Sequence, residues 1–135
     1  MNSRYIDPHV DLKDADVRDT LQHRNGTPLF GLVEFNLWGA CNRRCSFCPI
    51  SDPSLFTNRK EGITYENYQK VLLDLKAIEY GGVILWSMFS EPTLHKEHLS
   101  LASLTKGLLP NSRLQLTSNG DTLRNRPGRL SSLFN

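Results

Sequence analysis

Apolar and polar residues along this chain change period several times, and the changes outline the elements. Leu32-Val-Glu-Phe-Asn-Leu37 alternates, with Val33, Phe35 and Leu37 on one side, which predicts a strand. After a loop over 50–62, marked by Pro53, Asn58 and Gly62, Thr64 can cap a helix and Glu66 falls near its positive end. Tyr68, Val71, Leu72, Leu75 and Ile78 then recur at helical spacing. Gly81-Gly82 is expected to stop that helix, because glycine adopts the left-handed terminal conformation cheaply. The near-continuous apolar run over 83–89 reads as a strand buried on both faces. A second helix fits 96–106, ending at Gly107, and a third strand fits 114–117, closed by Ser118-Asn119-Gly120.

Strand, helix, strand, helix, strand is the order of right-handed crossovers in a parallel sheet, so the fold class is α/β. In such sheets working groups gather at the strands' carboxyl ends. The loop after Leu37, the run Ser90-Glu91-Pro92 and the turn Ser118-Asn119-Gly120 each follow a predicted strand. They should therefore meet on one rim.

The first stretch is different. Residues 1–28 are polar and weakly patterned; 11–24 could form a short surface helix, which Asn25-Gly26-Thr27-Pro28 then breaks. We expect an N-terminal extension over 1–28 with little chemistry of its own, followed by the domain over 29–135.

Composition narrows the class without naming a function. The chain has 135 residues, one domain's worth, and 39% hydrophobic content suffices for a core. Sixteen basic against fourteen acidic residues give a net charge of +2, which predicts no polyanionic partner. Arg124, Arg126 and Arg129 stand without acidic neighbours among them, and a solvated arginine face outweighs a nucleic-acid patch. No secretory h-region opens the chain, and its longest apolar run falls far short of the roughly 18 residues of a membrane span. We expect a cytoplasmic protein, where thiols stay reduced and metal ligation outweighs disulfide formation.

The cysteines carry the sharpest chemistry. All three, Cys41, Cys45 and Cys48, fall in Trp38-Gly-Ala-Cys-Asn-Arg-Arg-Cys-Ser-Phe-Cys-Pro49. Random placement would give this spacing roughly once in three thousand arrangements, so coincidence is a poor account. Three thiolates without a fourth suggest a metal site with one position open. His95 and His98 are the nearest candidates to complete a Cys3His zinc set, so a small zinc-binding module without catalysis stays open as an alternative. An electron-transfer ferredoxin would want a fourth cysteine.

With Cys41-Asn-Arg-Arg-Cys45-Ser-Phe-Cys48, then Ser90-Glu-Pro-Thr-Leu-His95, then Thr117-Ser-Asn-Gly120, the chain resembles the radical S-adenosylmethionine (radical SAM) superfamily over about 32–123. The resemblance implies a [4Fe–4S] cluster held by Cys41, Cys45 and Cys48. Its open iron would be chelated by the amino and carboxylate groups of S-adenosyl-L-methionine. Reductive cleavage would yield methionine and a 5′-deoxyadenosyl radical that abstracts hydrogen from a substrate not readable here, with the protein orienting the cofactor and excluding water. By the same resemblance Phe47 would lie against the adenine and Glu91 would contact the methionine amino group. Ser90, Ser118 and Asn119 would complete the cofactor side, and a flavodoxin- or ferredoxin-type protein would supply the electron. Ser90 departs from the glycine the family commonly has before its Glu-Pro, which puts close backbone approach to the cofactor in doubt.

The family's domain is a partial parallel (β/α) barrel, and only about three strand–helix units are visible in this chain. Leu123, Leu130, Leu133 and Phe134 look like a third helix cut short. The expected architecture is thus an incomplete barrel: the N-terminal half of a radical SAM domain, truncated at its C-terminus, or an inactive fragment.

Overall fold

A computed structural model of the chain describes residues 11, 12, 14, 15, 18, 21–87, 89–124 and 128. It divides into two compact units, Met1–Gly31 and Leu32–Asn135.

In the first unit the described residues 11, 12, 14, 15 and 18 are helical. The helix expected over 11–24 does not reach its predicted end, because β1 (His23–Arg24) pairs antiparallel with β2 (Thr27–Pro28). Asn25 and Gly26 turn the pair with φ of 50° and 78°. Two consecutive residues at positive φ match the twist of a two-residue hairpin, for which Asn-Gly is the favoured sequence. The dipeptide that reads as a break is thus the turn of a hairpin.

The second unit holds the expected α/β order. A parallel sheet runs β3 (Leu32–Phe35), β4 (Val83–Trp86), β5 (Arg113–Leu116), with α1 (Tyr65–Ala77) and α2 (His98–Leu108) in the crossovers. Register aligns Val33, Ile84 and Leu114 in one row, and Phe35, Trp86 and Leu116 in the next. Both rows belong to the hydrophobic core, together with Tyr68, Leu72 and Leu75 of α1 and Leu101 and Ala102 of α2. Both helices therefore cover the same face of the sheet.

The opposite face is the correction. Leu32 is exposed, and Val83 and Leu85 are only half-buried, so β4 is not buried on both sides. Among the described residues of this unit no third layer covers that face; the apolar run of β4 reflects one packed face and one half-open one. The strand also ends at Trp86, with Met88 outside the described residues. So do Arg126, Arg129, Leu130, Leu133 and Phe134, on which the tail readings rest.

A chain of hydrogen bonds crosses the core. Trp86 Nε1 donates to the Tyr68 hydroxyl at 2.9 Å, that hydroxyl lies 2.7 Å from Thr105 Oγ1, and Thr105 Oγ1 donates to the Leu101 carbonyl at 2.8 Å. The last bond uses the threonine's proton, so Tyr68 must donate to Thr105 and accept from Trp86. Sheet, α1 and α2 are joined with every buried hydroxyl satisfied. Burial raises the Tyr68 pKa, which keeps that proton on the phenol.

Helix α1 begins as the sequence predicts, with the Thr64 side chain accepting from Asn67 N at 3.2 Å. It ends differently. Glu79, not Gly81 or Gly82, takes the left-handed conformation, at φ 56°. Glu79 N donates to Lys76 O at 2.9 Å and Tyr80 N to Leu75 O at 3.0 Å. This is a Schellman closure, and burial of Leu75 and Tyr80 in the core supplies the hydrophobic contact that accompanies it. Glycine suits the closing position better than glutamate, whose Cβ costs about 1–2 kcal/mol there. We expect Glu79→Gly to stabilise the fold by about 0.5–1 kcal/mol, read as a raised urea midpoint at unchanged slope. A lowered midpoint would show that the glutamate side chain contributes more than the strain costs.

Helix α2 runs through Gly107 to Leu108, past its expected end, after a 3-10 turn at Pro92–Leu94. Among the described residues no helix is long and apolar enough to cross a membrane.

Candidate functional site: the cysteine rim

Loops following β3, β4 and β5 meet at the carboxyl edge of the sheet. The cysteine loop is anchored at its entrance, where Cys41 N donates to Asn58 Oδ1 at 3.0 Å and Gly39 N to Glu61 O at 2.8 Å. Its far end is fixed by Ser51 Oγ and Cys48 N, both donating to the Cys45 carbonyl, at 2.6 and 2.9 Å. A 3-10 turn, Pro49–Ser51, then buries Ile50 beneath it. All three cysteines are free thiols, each partly exposed. Phe47 projects outward, 88% exposed.

Glu91 is the centre of the rim. It is 1% exposed, so its carboxylate is held inside the protein. Its backbone N–H donates to Ala40 O at 3.0 Å, joining the β4 loop to the residue before Cys41. Carboxylate Oε1 accepts from Thr93 N at 3.1 Å, from Ser118 Oγ at 2.8 Å and from Thr93 Oγ1. Oε2 accepts from Asn119 N at 2.7 Å. One buried carboxylate thus fastens the β5 loop to the β4 loop, using charge-assisted bonds that are stronger than neutral ones.

Ser118 Oγ spends its proton on Glu91 and accepts from Gly120 N at 3.0 Å. Asn119 turns its amide toward the cysteines, with Nδ2 3.6 Å from Cys41 Sγ and 2.9 Å from Asn42 Oδ1. Ser90 Oγ donates to Asn36 Oδ1 at 2.5 Å, across the ends of β4 and β3. The structure therefore brings Cys41, Glu91, Ser118 and Asn119 into one bonded network. Ser90 lies on the same rim but bonds elsewhere, and Phe47 stands at the exposed side of the cysteine loop.

Asn58, Thr93 and Asp121 also belong to this rim, beyond the residues the sequence pattern assigns to it. Asn58 acts through a contact 17 positions away, and Thr93 through its own turn, where its N–H and hydroxyl reach the Glu91 carboxylate. Asp121 follows the Ser118-Asn119-Gly120 turn directly, and that position was the available cue. The Arg43 guanidinium holds its carboxyl below the usual range, chiefly through their hydrogen bond, and Asp121 in turn raises the pKa of Arg43.

Both candidate histidines are packed inside the protein, His98 with Nδ1 2.7 Å from the His95 carbonyl. His95 is buried, with Nε2 2.9 Å from Ile63 O and Nδ1 accepting from Glu97 N at 3.2 Å, so both ring nitrogens are spent inside the protein. Its ring packs edge-on against Trp38, centroids 5.9 Å apart. Gly62 makes room for both rings: a Cβ there would stand 2.6 Å from His95 Cδ2 and 2.8 Å from Trp38 Cε3. Among the described residues, no group of three or more His, Cys, Asp or Glu could hold a metal ion. His95 is thus accounted for as a core residue, its ring nitrogens already engaged within the protein.

Cys41 Sγ shows a different environment. Besides Asn119 Nδ2, it faces Arg43 N at 3.4 Å. Two N–H donors, one from its own loop and one from the β5 loop, are thus aimed at this sulfur.

No protein-family model matches the chain. It is 29% identical over 107 residues to an S-adenosyl-L-methionine-dependent 2-deoxy-scyllo-inosamine dehydrogenase of Niallia circulans, covering 78% of this chain and 40% of that protein. A crystal structure of BtrN in complex with AdoMet and 2-DOIA superimposes with a TM-score of 0.71 and 26% identity, over 78% of this chain and 42% of that one. Selenomethionine BtrN in an open conformation gives 0.67 and 25%, over 78% and 45%. The chain thus spans about two-fifths of the length of the curated relative it matches. These findings correct the resemblance to the radical SAM superfamily at large. No general family pattern is matched, and the likeness is the narrower one to an S-adenosyl-L-methionine-dependent dehydrogenase and its fold.

Proposed function

We propose that this chain forms the cofactor-binding part of an S-adenosyl-L-methionine-dependent radical enzyme, with a [4Fe–4S] cluster on Cys41, Cys45 and Cys48. The observation that carries the reading is the rim itself. Three loops at the carboxyl ends of parallel strands are tied together by Glu91, with an N–H donor from the β5 loop turned toward Cys41 Sγ. The likeness to an S-adenosyl-L-methionine-dependent dehydrogenase over 78% of the chain supports it.

Such a cluster, held by Cys41, Cys45 and Cys48 and fed one electron by a protein reductant, would supply the reductive cleavage of the S-adenosylmethionine sulfonium bond from which hydrogen abstraction follows. The residues of the chain would hold and orient. Cys41, Cys45 and Cys48 supply the thiolates. Phe47, exposed beside them, offers a face to adenine. Asn119 and Ser118 bound the cofactor side, and Glu91 would serve it by fixing their turn, since its carboxylate is buried and already accepts four bonds. Ser90 would act with Asn36, the partner of its hydroxyl, at the same edge.

In this reading 1–28 is an extension, and 29–135 is the first half of a partial (β/α) barrel. Two successive crossovers lay both helices on one face, which is how such barrels are wound. A flavodoxin- or ferredoxin-type protein would deliver the electron, and the reducing cytoplasm suits three free thiols.

Anaerobic reconstitution with iron and sulfide tests the proposal. We expect about four irons per chain, the stoichiometry of the proposed [4Fe–4S] cluster, and a reduced-state EPR signal perturbed by S-adenosylmethionine. Stoichiometric zinc in the isolated protein with no iron uptake would refute it.

A further inference from the structure

Asp121 lies just beyond the cofactor residues above, yet it grips the cysteine loop. Its carboxylate accepts from Arg43 Nε at 2.9 Å and Nη2 at 2.5 Å, the two-pronged geometry that guanidinium and carboxylate favour. It also accepts from Asn42 Nδ2 at 3.0 Å. Asn42 and Arg43 both lie between Cys41 and Cys45, so Asp121 holds the first half of the loop from a distant strand end. Asn119 closes the ring: Nδ2 donates to Asn42 Oδ1 at 2.9 Å, and Oδ1 accepts from Asp121 N at 3.0 Å.

This ring determines which donors face Cys41. Arg43 N and Asn119 Nδ2 both point at its sulfur, at 3.4 and 3.6 Å, and both belong to residues that the ring immobilises. We propose that Asp121 is a positioning residue for the metal centre: by clamping Asn42 and Arg43 it aims two N–H donors at Cys41 Sγ. The proposal rests on the reading that the cysteines hold a cluster, but the clamp exists in the protein without one. An exposed ion pair contributes little to global stability. Its effect should instead appear locally, because partners behind metal ligands commonly change metal affinity by about 10–100-fold, and hydrogen bonds to sulfur tune cluster potential.

The test compares Asp121→Ala, Arg43→Ala, the double variant and Asp121→Asn, in the cluster-free and reconstituted protein. In the cluster-free protein under reducing conditions, Asp121→Ala should raise the alkylation rate of Cys41 severalfold, resolved from Cys45 and Cys48 by peptide mass mapping. Arg43→Ala, which leaves Asp121 accepting from Asn42, should give a smaller rise, and the double variant should only equal Asp121→Ala, since both replacements act on one clamp. Asp121→Asn retains an acceptor for Asn42 but loses the charged fork, and should fall between. In the reconstituted protein, Asp121→Ala should speed cluster loss to a chelator by about tenfold. Unchanged Cys41 alkylation, or effects of the two single variants that add, would overturn the proposal. Failure of the wild-type protein to load a cluster would refute the functional reading instead, and the alkylation result would still decide the clamp.

Discussion

Glu91→Ala is expected to lower stability by about 2–4 kcal/mol and to abolish stable loading of the cysteine loop. The side chain is 1% exposed and accepts bonds from Thr93 N, Thr93 Oγ1, Ser118 Oγ and Asn119 N. Alanine leaves all four donors without their acceptor. Each buried donor so stranded costs about 1–3 kcal/mol. The total is held down because Ser118 and Asn119 are half-buried and water can reach them once the carboxylate is gone. Against a domain stability of about 5–15 kcal/mol this is a large fraction. Glu91→Gln separates shape from acceptor capacity: its amide must set an N–H against at least one of the same donors, so it should lose roughly half as much. Urea unfolding of the three proteins measures this. A midpoint for Glu91→Ala equal to that of the parent would show that the rim does not depend on the carboxylate.

The second large effect is local. Cys45→Ala should prevent cluster assembly altogether, leaving no broad visible absorption after reconstitution, because two thiolates cannot replace three in a cubane with one iron already open. It should leave the protein's fold almost untouched. The backbone carbonyl of Cys45, not its thiol, takes the bonds from Ser51 Oγ and Cys48 N that shape the loop. Stability of the cluster-free variant should therefore stay within about 0.5 kcal/mol of the parent. A stable cluster in Cys45→Ala would refute the ligand assignment. A destabilised cluster-free protein would mean the thiol packs where the structure shows partial exposure.

How far these features could be read from sequence depends on how local their causes are. The α/β order follows from changes of hydrophobic period within ten-residue windows, and the Thr64 cap from a residue type next to its helix. The cysteine loop needs only spacing. Glu79 was not legible, because its left-handed conformation is imposed by burial of Leu75 and Tyr80 on either side, while two glycines downstream offered a cheaper stop. The Asn25-Gly26 hairpin leaves little trace in the pattern, because its strands are only two residues each and lack the alternation that marks a strand. Burial of Glu91 could not be anticipated from composition, since a glutamate reads as solvated until its donors are known. Those donors come from residues 27 and 28 positions away as well as from its own turn. Asp121 and Arg43, 78 positions apart, present the same difficulty in stronger form.

The paired environments of the two tryptophans have an optical consequence. Trp86 is fully buried and hydrogen-bonded to Tyr68 in the core, whereas Trp38 stands edge-on to His95 three residues before Cys41. One indole therefore reports the packing of sheet against helices, and the other the surroundings of the thiol loop. Intrinsic fluorescence from this chain carries two signals, and a visible-absorbing centre on the cysteines would drain the nearer emitter while chemical unfolding reddens the farther one.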